Sequence, residues 1–205
     1  MSRFTYEKED NNAKYETYEW DNTWIDHADD KSRKRVLYIG DSISCGTRNV
    51  ATERSKEKIL FDGFGTSKAL DNPFFKDALK VFADEEERRD AVLFNNGLHG
   101  WHLNDEKEYG YYFEEMIKFI TEEFKGTPFF IVLTTHISDE EREKRVVIRN
   151  KVASEIAKKY NIPVIDLYSV SLEAAELLSA DGVHFTRPGY DALADEVIRA
   201  VSEVI

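Results

Sequence analysis

The stretch that decides the fold is Arg35-Val36-Leu37-Tyr38-Ile39-Gly40-Asp41-Ser42, an apolar run that ends abruptly in Gly-Asp-Ser. A short run of this composition, bounded by glycine, is typical of a buried β-strand. The serine then stands at the start of the next helix, and the carboxyl end of a parallel strand is where α/β proteins bind ligands. Two interpretations are open here. Either Asp41 or Ser42 simply caps the helix, or Ser42 presents its hydroxyl to a ligand.

Outward from this stretch, strand-like and helix-like patterns alternate along the chain. Four further apolar runs have the length of strands, at residues 58–61, 91–94, 129–133 and 163–167. Helical patterns start near Ser42 and occupy residues 73–86, 106–124, 139–160, 172–178 and 188–204. In the pattern at 139–160, the apolar face is interpreted as Val147, Ile148, Val152, Ile156 and Ala157. The alternation predicts an α/β protein with right-handed crossovers and a mostly parallel, five-stranded sheet covered on both faces.

The first part of the chain does not follow this alternation. Residues 1–34 mix polar and aromatic side chains, and we expect them to form an N-terminal arm that packs on a main domain of residues 35–205. Trp20 and Trp24 have the spacing of one helical face. Burial against the domain and lining of a substrate cleft are the two roles open to these indoles.

Charge and composition exclude several classes of partner. The formal net charge of −12 argues against nucleic acid, because phosphate binding needs a basic surface. No apolar run approaches the length of a membrane span, and the first residues lack the apolar core of a secretory signal. The single cysteine, Cys45, cannot form an internal disulfide. We therefore expect a cytoplasmic protein with no membrane or nucleic-acid partner.

Four sequence features come together at the carboxyl edge of the predicted sheet. They follow the first, second and third strands and precede the last helix: Ser42, Gly63 with Gly65, Asn95 to His99, and Asp181 with His184. A serine hydroxyl becomes a nucleophile when a histidine accepts its proton. A carboxylate on the other ring nitrogen holds the histidine in the correct tautomer. These residues are the parts of an acyl-transfer site.

Gly40-Asp41-Ser42 after the first strand and Asp181-Gly182-Val183-His184 before the last helix together resemble the motifs of SGNH/GDSL-type serine esterases. The resemblance runs from about residue 35 to the C-terminus. It implies a flavodoxin-like three-layer α/β/α fold, with Ser42 as nucleophile, His184 as base and Asp181 as its partner. It also implies an oxyanion hole formed by the Ser42 N–H, a glycine N–H after the second strand and an asparagine side chain after the third.

Two of those oxyanion positions are ambiguous in this sequence. For the glycine we favour Gly65 over Gly63. For the asparagine, the family pattern Gly-x-Asn-Asp is replaced by Gly97-Leu98-His99-Gly100, which puts His99 in the asparagine's place. An imidazole N–H can donate to an oxyanion as an amide does. Asn95 ranks equal with His99, and Asn96 is a weaker candidate.

These features predict a small ester as the substrate. We expect the site to use no metal and no cofactor. No group of His, Cys and acidic residues has the spacing of a metal site, and no phosphate-binding glycine loop is present. Trp20, Trp24, Trp101 and His102 are candidates for a wall on which a sugar stacks, which favours an acetylated carbohydrate. The alternatives are a lipase or thioesterase, and a non-catalytic carbohydrate-binding module on the same fold. A flavin or nucleotide binder is disfavoured by the acidic, glycine-poor loops.

Overall fold

The computed structural model describes residues 14–205, which form one mixed sheet with helices on both faces. The strands are β1 (Asp21–Trp24), β2 (Lys34–Gly40), β3 (Ile59–Thr66), β4 (Ala91–Phe94), β5 (Phe129–Val132) and β6 (Val164–Ile165). The helices are α1 (Ser42–Arg54), α2 (Phe75–Glu86), α3 (Glu106–Glu123), α4 (Glu140–Tyr160), α5 (Leu167–Glu173) and α6 (Arg187–Ser202), with a short 3₁₀ turn at Ala175–Leu177.

The sheet has the strand order β1-β3-β2-β4-β5-β6. Every neighbouring pair is parallel except β1 with β3. Strand β2 is therefore flanked by a strand on each side, and its side chains alternate between two cores. Val36 and Tyr38 face the core that α1 and α6 cover, whereas Leu37 and Ile39 face the core under α2, α3 and α4. This is the predicted three-layer α/β/α architecture.

The sheet has six strands rather than the predicted five, because part of the N-terminal arm joins it. Asp21–Trp24 pairs antiparallel with β3 as an edge strand. The helical interpretation of Trp20 and Trp24 was wrong, since positions four apart also share one face of a strand. The earlier portion of the arm, residues 1–13, lies outside the described residues.

Two strand predictions also needed correction. The second strand does not stop at Phe61, as predicted, but continues to Thr66 through both glycines. The last strand is only Val164–Ile165, because Asp166 caps a helix directly after it by accepting from the Ser169 N–H. Helix α5 accordingly starts at Leu167 and not at the predicted 172.

Helix α4 lies where the sequence predicts, and Ile156 and Ala157 of its predicted apolar face are buried, but the N-terminal part of that face is not. Val147 and Ile148 are 47% and 36% exposed, whereas Arg149 and Asn150 are buried. Polar groups in the loops above the sheet, which pair with Arg149 and Asn150, account for this rotation of the helix. None of the helices found within residues 14–205 combines the length and apolarity that a bilayer span requires.

Candidate active site

Ser42 is the first residue of α1, directly at the carboxyl end of β2. The cap of this helix is Asp41, whose carboxylate accepts a hydrogen bond from the Ile43 N–H at 3.0 Å. Asp41 therefore performs the capping, and the Ser42 side chain is available for another role. The Ser42 N–H also belongs to the first turn, where helix N–H groups have no partner within the helix.

The Ser42 hydroxyl contacts the ring of His184. The distance from Ser42 Oγ to His184 Nε2 is 2.8 Å, and these residues are separated by 142 positions in the chain. On the other side of the ring, His184 Nδ1 lies 2.8 Å from Asp181 Oδ2. The three side chains thus form a continuous hydrogen-bonded chain, in the order that a nucleophile, a base and an orienting acid require.

The Asp181 carboxylate is held by its own loop. Its Oδ1 accepts from the Val183 N–H at 2.8 Å, the His184 N–H at 2.9 Å and the Ser179 hydroxyl at 2.8 Å. Partial burial favours the neutral acid, but these bonds and the His184 ring prevail and hold the pKa of Asp181 well below its usual range. Asp181 is therefore ionised at neutral pH and can only accept, which fixes the N–H of neutral His184 on Nδ1.

Gly182 makes this turn possible. Its φ of +76° lies in the left-handed region that side chains disfavour. A Cβ at this position would also lie 1.9 Å from the Ser138 hydroxyl. The Gly182 carbonyl accepts from the Ser138 N–H at 2.8 Å, which ties the turn to the loop after β5.

The pairing of β3 with its two neighbouring strands indicates where the N–H groups of Gly63 and Gly65 point. Three other N–H groups of this segment donate on the side away from β2: Ile59 to Ser55 Oγ, Phe61 to Thr52 Oγ1 and Ser67 to the Trp20 carbonyl. Because N–H groups alternate sides along a strand, Gly65 also points its N–H away from β2, toward its register partner Asn22. The pairing therefore argues against the predicted Gly65 N–H donor and against Gly63 as its substitute.

The structure shows another reason for a glycine at position 65. A Cβ there would lie 2.2 Å from Cys45 Sγ and 3.5 Å from the Asp41 carbonyl oxygen. The absence of a side chain lets the first turn of α1 pack directly on β3. At Gly63 the equivalent close neighbour is the side chain of Arg48.

The two asparagines after β4 use their amide groups elsewhere. Asn95 Nδ2 donates to the Val132 carbonyl at 2.8 Å and to Thr134 Oγ1 at 3.0 Å, so its two N–H bonds hold the last residue of β5 and the loop that follows it. Asn96 Nδ2 donates to the Lys68 carbonyl at 3.0 Å. Asn95 therefore loses its predicted parity with His99 as an oxyanion donor.

His99 is buried in the loop that follows β4. It is 3% exposed, and its Nε2 is buried without a hydrogen-bond partner among residues 14–205. Burial raises the pKa of Asp41, whereas attraction to His99, the Ile43 and Ser44 N–H groups and His184 lower it. Both histidines thus lie within electrostatic range of the carboxylate that precedes Ser42.

The sequence interpretation missed two residues that act on the His99 loop. Arg149 of α4 donates to the carbonyls of Gly97, His99 and Gly100 at 2.9, 2.7 and 2.7 Å. Glu16 of the arm lies 3.5 Å from His99 Nδ1. Arg142, Arg145 and Arg149 share one helical face by spacing, which was a usable signal; nothing in the sequence indicated Glu16.

The predicted aromatic wall is divided among different surroundings. Trp24 is 52% exposed on the edge strand, and Trp20 packs edge-on against His99 with ring centroids 5.9 Å apart. Trp101 is 6% exposed beneath three arginine side chains, and His102 Nε2 lies 3.0 Å from Asp71. These four rings therefore do not form one continuous stacking surface.

A cavity of about 560 Å³ adjoins the His184 loop. Its lining is mixed, with apolar and charged side chains beside the backbone of the triad loop: Leu98, Trp101, Ile137, Ser138, Asp139, Glu141, Arg142, Asp181, Gly182 and Val183. Of the four predicted aromatic residues, only Trp101 lines it. A ligand in this cavity would contact Asp181 and the two residues that follow it, Gly182 and Val183.

Solved structures with this architecture are numerous. A lipase/acylhydrolase from Enterococcus faecalis matches with a TM-score of 0.62 and 21% identity, over 83% of this chain and 96% of that protein. A GDSL-like lipase from Bacteroides thetaiotaomicron matches with a TM-score of 0.66 and 16% identity, over 84% and 89%. An acetylxylan esterase from Geobacillus stearothermophilus matches with a TM-score of 0.60 and 16% identity, over 83% and 94%.

Comparisons of the sequence alone, unlike comparisons of the structure, find no relatives of this chain. No protein-family profile matches the sequence, and a search of curated proteins finds no significant match. At such low identity the structural likeness establishes the fold alone. The chain has the three-layer fold of the SGNH/GDSL-type hydrolases.

Proposed function

We propose that this protein is a serine ester hydrolase that forms an acyl-enzyme on Ser42. The observation that carries the proposal is the 2.8 Å contact between Ser42 Oγ and His184 Nε2, with Asp181 at the same distance behind the ring. A helix cap would not need this arrangement, and Asp41 already supplies the cap.

Acylation begins when Ser42 Oγ attacks the ester carbonyl carbon and its proton passes to His184 Nε2. The ester C=O becomes an oxyanion in the tetrahedral intermediate, while Asp181 stabilises the imidazolium of His184. The C–O bond to the alcohol then breaks, and His184 returns the proton to the departing oxygen. The alcohol leaves, and the acyl group remains esterified to Ser42.

Deacylation repeats these steps with water. His184 Nε2 accepts a proton from a water molecule that attacks the acyl carbonyl carbon. Collapse of the second tetrahedral intermediate breaks its bond to Ser42 Oγ, which regains its proton from His184. The free acid leaves, and the site returns to its starting state.

Two groups are the best candidates for stabilising the oxyanion. The Ser42 N–H stands in the first turn of α1, where the helix dipole also favours negative charge. His99 is the second candidate, because its Nε2 has no hydrogen-bond partner in the described part of the chain, whereas both N–H groups of the Asn95 amide are used.

Replacement of Ser42 by alanine tests the proposal. We expect Ser42→Ala to abolish hydrolysis of 4-nitrophenyl acetate and labelling by an alkyl fluorophosphonate, with the circular dichroism spectrum unchanged. Ser154→Ala is the matched control, since that hydroxyl donates to the Asn150 carbonyl within its own helix. Retained turnover and labelling in Ser42→Ala would leave the non-catalytic binding module as the better interpretation.

We further propose that the substrate is a small acyl ester, in particular an acetyl ester, of a carbohydrate. The cavity beside Asp181 is lined by Asp139, Glu141 and Arg142, which suit a hydroxyl-rich alcohol better than a long acyl chain. Acetylxylan esterases among the structural neighbours support the same substrate class.

A substrate panel separates this proposal from a lipase or thioesterase. We expect kcat/KM to fall from 4-nitrophenyl acetate through the butyrate to the octanoate, and acetylated xylose to release acetate. Faster turnover of the octanoate, or of an acyl thioester, would contradict the acetyl-carbohydrate assignment without affecting the role of Ser42.

A further inference from the structure

Glu143, in the first turn of α4, turns its carboxylate back onto the loop that precedes the helix. Its Oε1 lies 2.8 Å from His136 Nδ1 and accepts from the Tyr168 hydroxyl at 2.6 Å. Its Oε2 accepts from the Ile137 N–H at 3.1 Å. Because a carboxylate only accepts, the His136 ring donates from Nδ1. One side chain of α4 therefore binds donors from the loop after β5 and from α5.

Helix α5 holds the same loop at a second point. Ser171 is fully buried, and its Oγ accepts from the His136 N–H at 2.8 Å and donates to the Tyr168 carbonyl at 2.7 Å. Burial and the bond to Glu143 raise the pKa of Tyr168 to about 12, so its hydroxyl remains a donor at neutral pH. Residues 136 and 137 are thus fixed between two helices.

The next residue of the loop connects this support to the triad. Ser138 follows Ile137 directly, and its N–H donates to the Gly182 carbonyl at 2.8 Å. Gly182 is the neighbour of Asp181 in the turn of residues 179–184, which we call the Asp181 turn. From the carboxylate on α4 to the Asp181 turn, the path consists of hydrogen bonds between groups that are adjacent in the chain.

The Asp181 turn needs support from outside, because its own hydrogen bonds determine only its internal shape. Asp181 Oδ1 accepts from Ser179, Val183 and His184, which all belong to the turn itself. A turn that is rigid internally must still stand at the correct distance from Ser42. A misplacement of about 1 Å can lower the rate on the order of a hundredfold. The hydrogen bond from the loop after β5 supplies such support.

We propose that Glu143 is a positioning residue of the esterase. It holds residues 136–138 so that the Asp181 turn stays where His184 contacts Ser42. The proposal rests on the esterase function proposed above and extends it, since it assigns to α4 and α5 a part in aligning the triad.

The alternative is that Glu143 only completes the start of α4. Asp139 already performs that task, because its carboxylate accepts from the Glu141 and Arg142 N–H groups at 3.1 and 3.0 Å. The Glu143 carboxylate binds groups outside the helix instead. Its contacts therefore favour a role in placing the loop over a role in capping the helix.

The test is a double-mutant cycle on kcat for 4-nitrophenyl acetate hydrolysis, with Glu143→Ala and Asp181→Asn. Glu143→Ala removes both acceptor oxygens, and we expect kcat to fall about tenfold to a hundredfold because the triad acid loses its position. In the Asp181→Asn background His184 already takes the wrong tautomer, so the same change should lower kcat less than about twofold. Glu140→Ala, at an exposed position of the same first turn, is the control and should keep the kcat of either background.

A residue that only stabilises the fold would lower kcat by the same factor in both backgrounds. That outcome overturns the proposal, and so does wild-type kcat in Glu143→Ala. If the circular dichroism spectrum shows that Glu143→Ala does not fold, Tyr168→Phe replaces it in the same cycle under the same criteria, since it removes one donor to Glu143 and leaves the carboxylate.

Fluorophosphonate labelling of Ser42 keeps this test separate from that of the esterase function. Stoichiometric labelling and turnover in the wild type, combined with either contradicting outcome of the cycle, overturn the role of Glu143 alone. A wild type that is neither labelled nor active contradicts the esterase function itself and this role with it.

Discussion

The Asp181 carboxylate combines two tasks that a single substitution can separate. One oxygen orients His184, and the other accepts two backbone N–H groups of its own loop. The contact between Asp181 and His184 was predictable from sequence, because Asp-x-x-His places both groups within one turn. The sequence did not show that the backbone bonds keep the acid ionised.

Asp181→Asn should lower kcat by about three to four orders of magnitude with little change in KM, because an amide permits the wrong tautomer of His184. Because the pKa of Asp181 is depressed, the wild-type carboxylate stays ionised as pH falls below the usual pKa range of aspartate. Steady-state kinetics at neutral pH measure the effect. Wild-type kcat in Asp181→Asn would remove Asp181 from the mechanism.

Gly65 and Cys45 form a pair whose coupling can be measured. Gly65→Ala places a methyl group 2.2 Å from Cys45 Sγ, so we expect destabilisation by about 1–3 kcal/mol from overpacking. Cys45→Ala removes the colliding sulfur, and the double variant should regain most of the loss. Urea denaturation of the wild type, the two single variants and the double variant gives a double-mutant cycle. Strictly additive losses of unfolding free energy would contradict the contact between position 65 and Cys45.

At the scale of elements, helix α4 shows where hydrophobic periodicity is an insufficient guide. Its length was predicted correctly, yet its buried face contains Arg149 and Asn150 in place of Val147 and Ile148. Asn150 accepts from the Thr134 N–H and donates to the Thr134 carbonyl, both at 2.8 Å. Loop carbonyls that need donors decide the rotation of this helix, and a single sequence does not reveal which loops lie above it.

Arg149→Met should therefore affect catalysis more than the equivalent change at Arg145. Arg145 occupies the same helix face but binds the carbonyls of Trp101 and Leu103, beyond the His99 turn. We expect Arg149→Met to cost about 2–3 kcal/mol of stability, from the loss of charged hydrogen bonds, and to lower kcat for the acetate ester. Equal kcat values for the two variants would show that the Arg149 bonds do not position His99.

At the scale of the whole molecule, a buried carboxyl far from Ser42 gives stability a predictable pH dependence. Burial raises the pKa of Glu86 from 4.5 to about 8, and Asp62 adds to the shift while Arg89 opposes it. A raised pKa means that the folded protein binds this proton more tightly. The stability from that proton is complete below about pH 4.5 and is lost as pH rises toward 8.

Glu86→Gln should weaken this dependence, because the amide has no proton to lose. Urea denaturation at pH 5 and pH 8 measures it: the difference in unfolding free energy between the two pH values should be smaller in the variant. Glu85→Gln, one position earlier on the exposed side of α2, is the control. An unchanged difference in Glu86→Gln would assign the pH dependence to other groups.

The long separation between Ser42 and His184 has a consequence for how activity is acquired during folding. Most of the parallel sheet must form before the His184 ring can contact the Ser42 hydroxyl. Contacts between residues so far apart in sequence form slowly during folding. Catalytic competence should consequently lag behind the recovery of ellipticity after dilution from denaturant. On a ribosome, a nascent chain whose last helix is still in the exit tunnel would be inert.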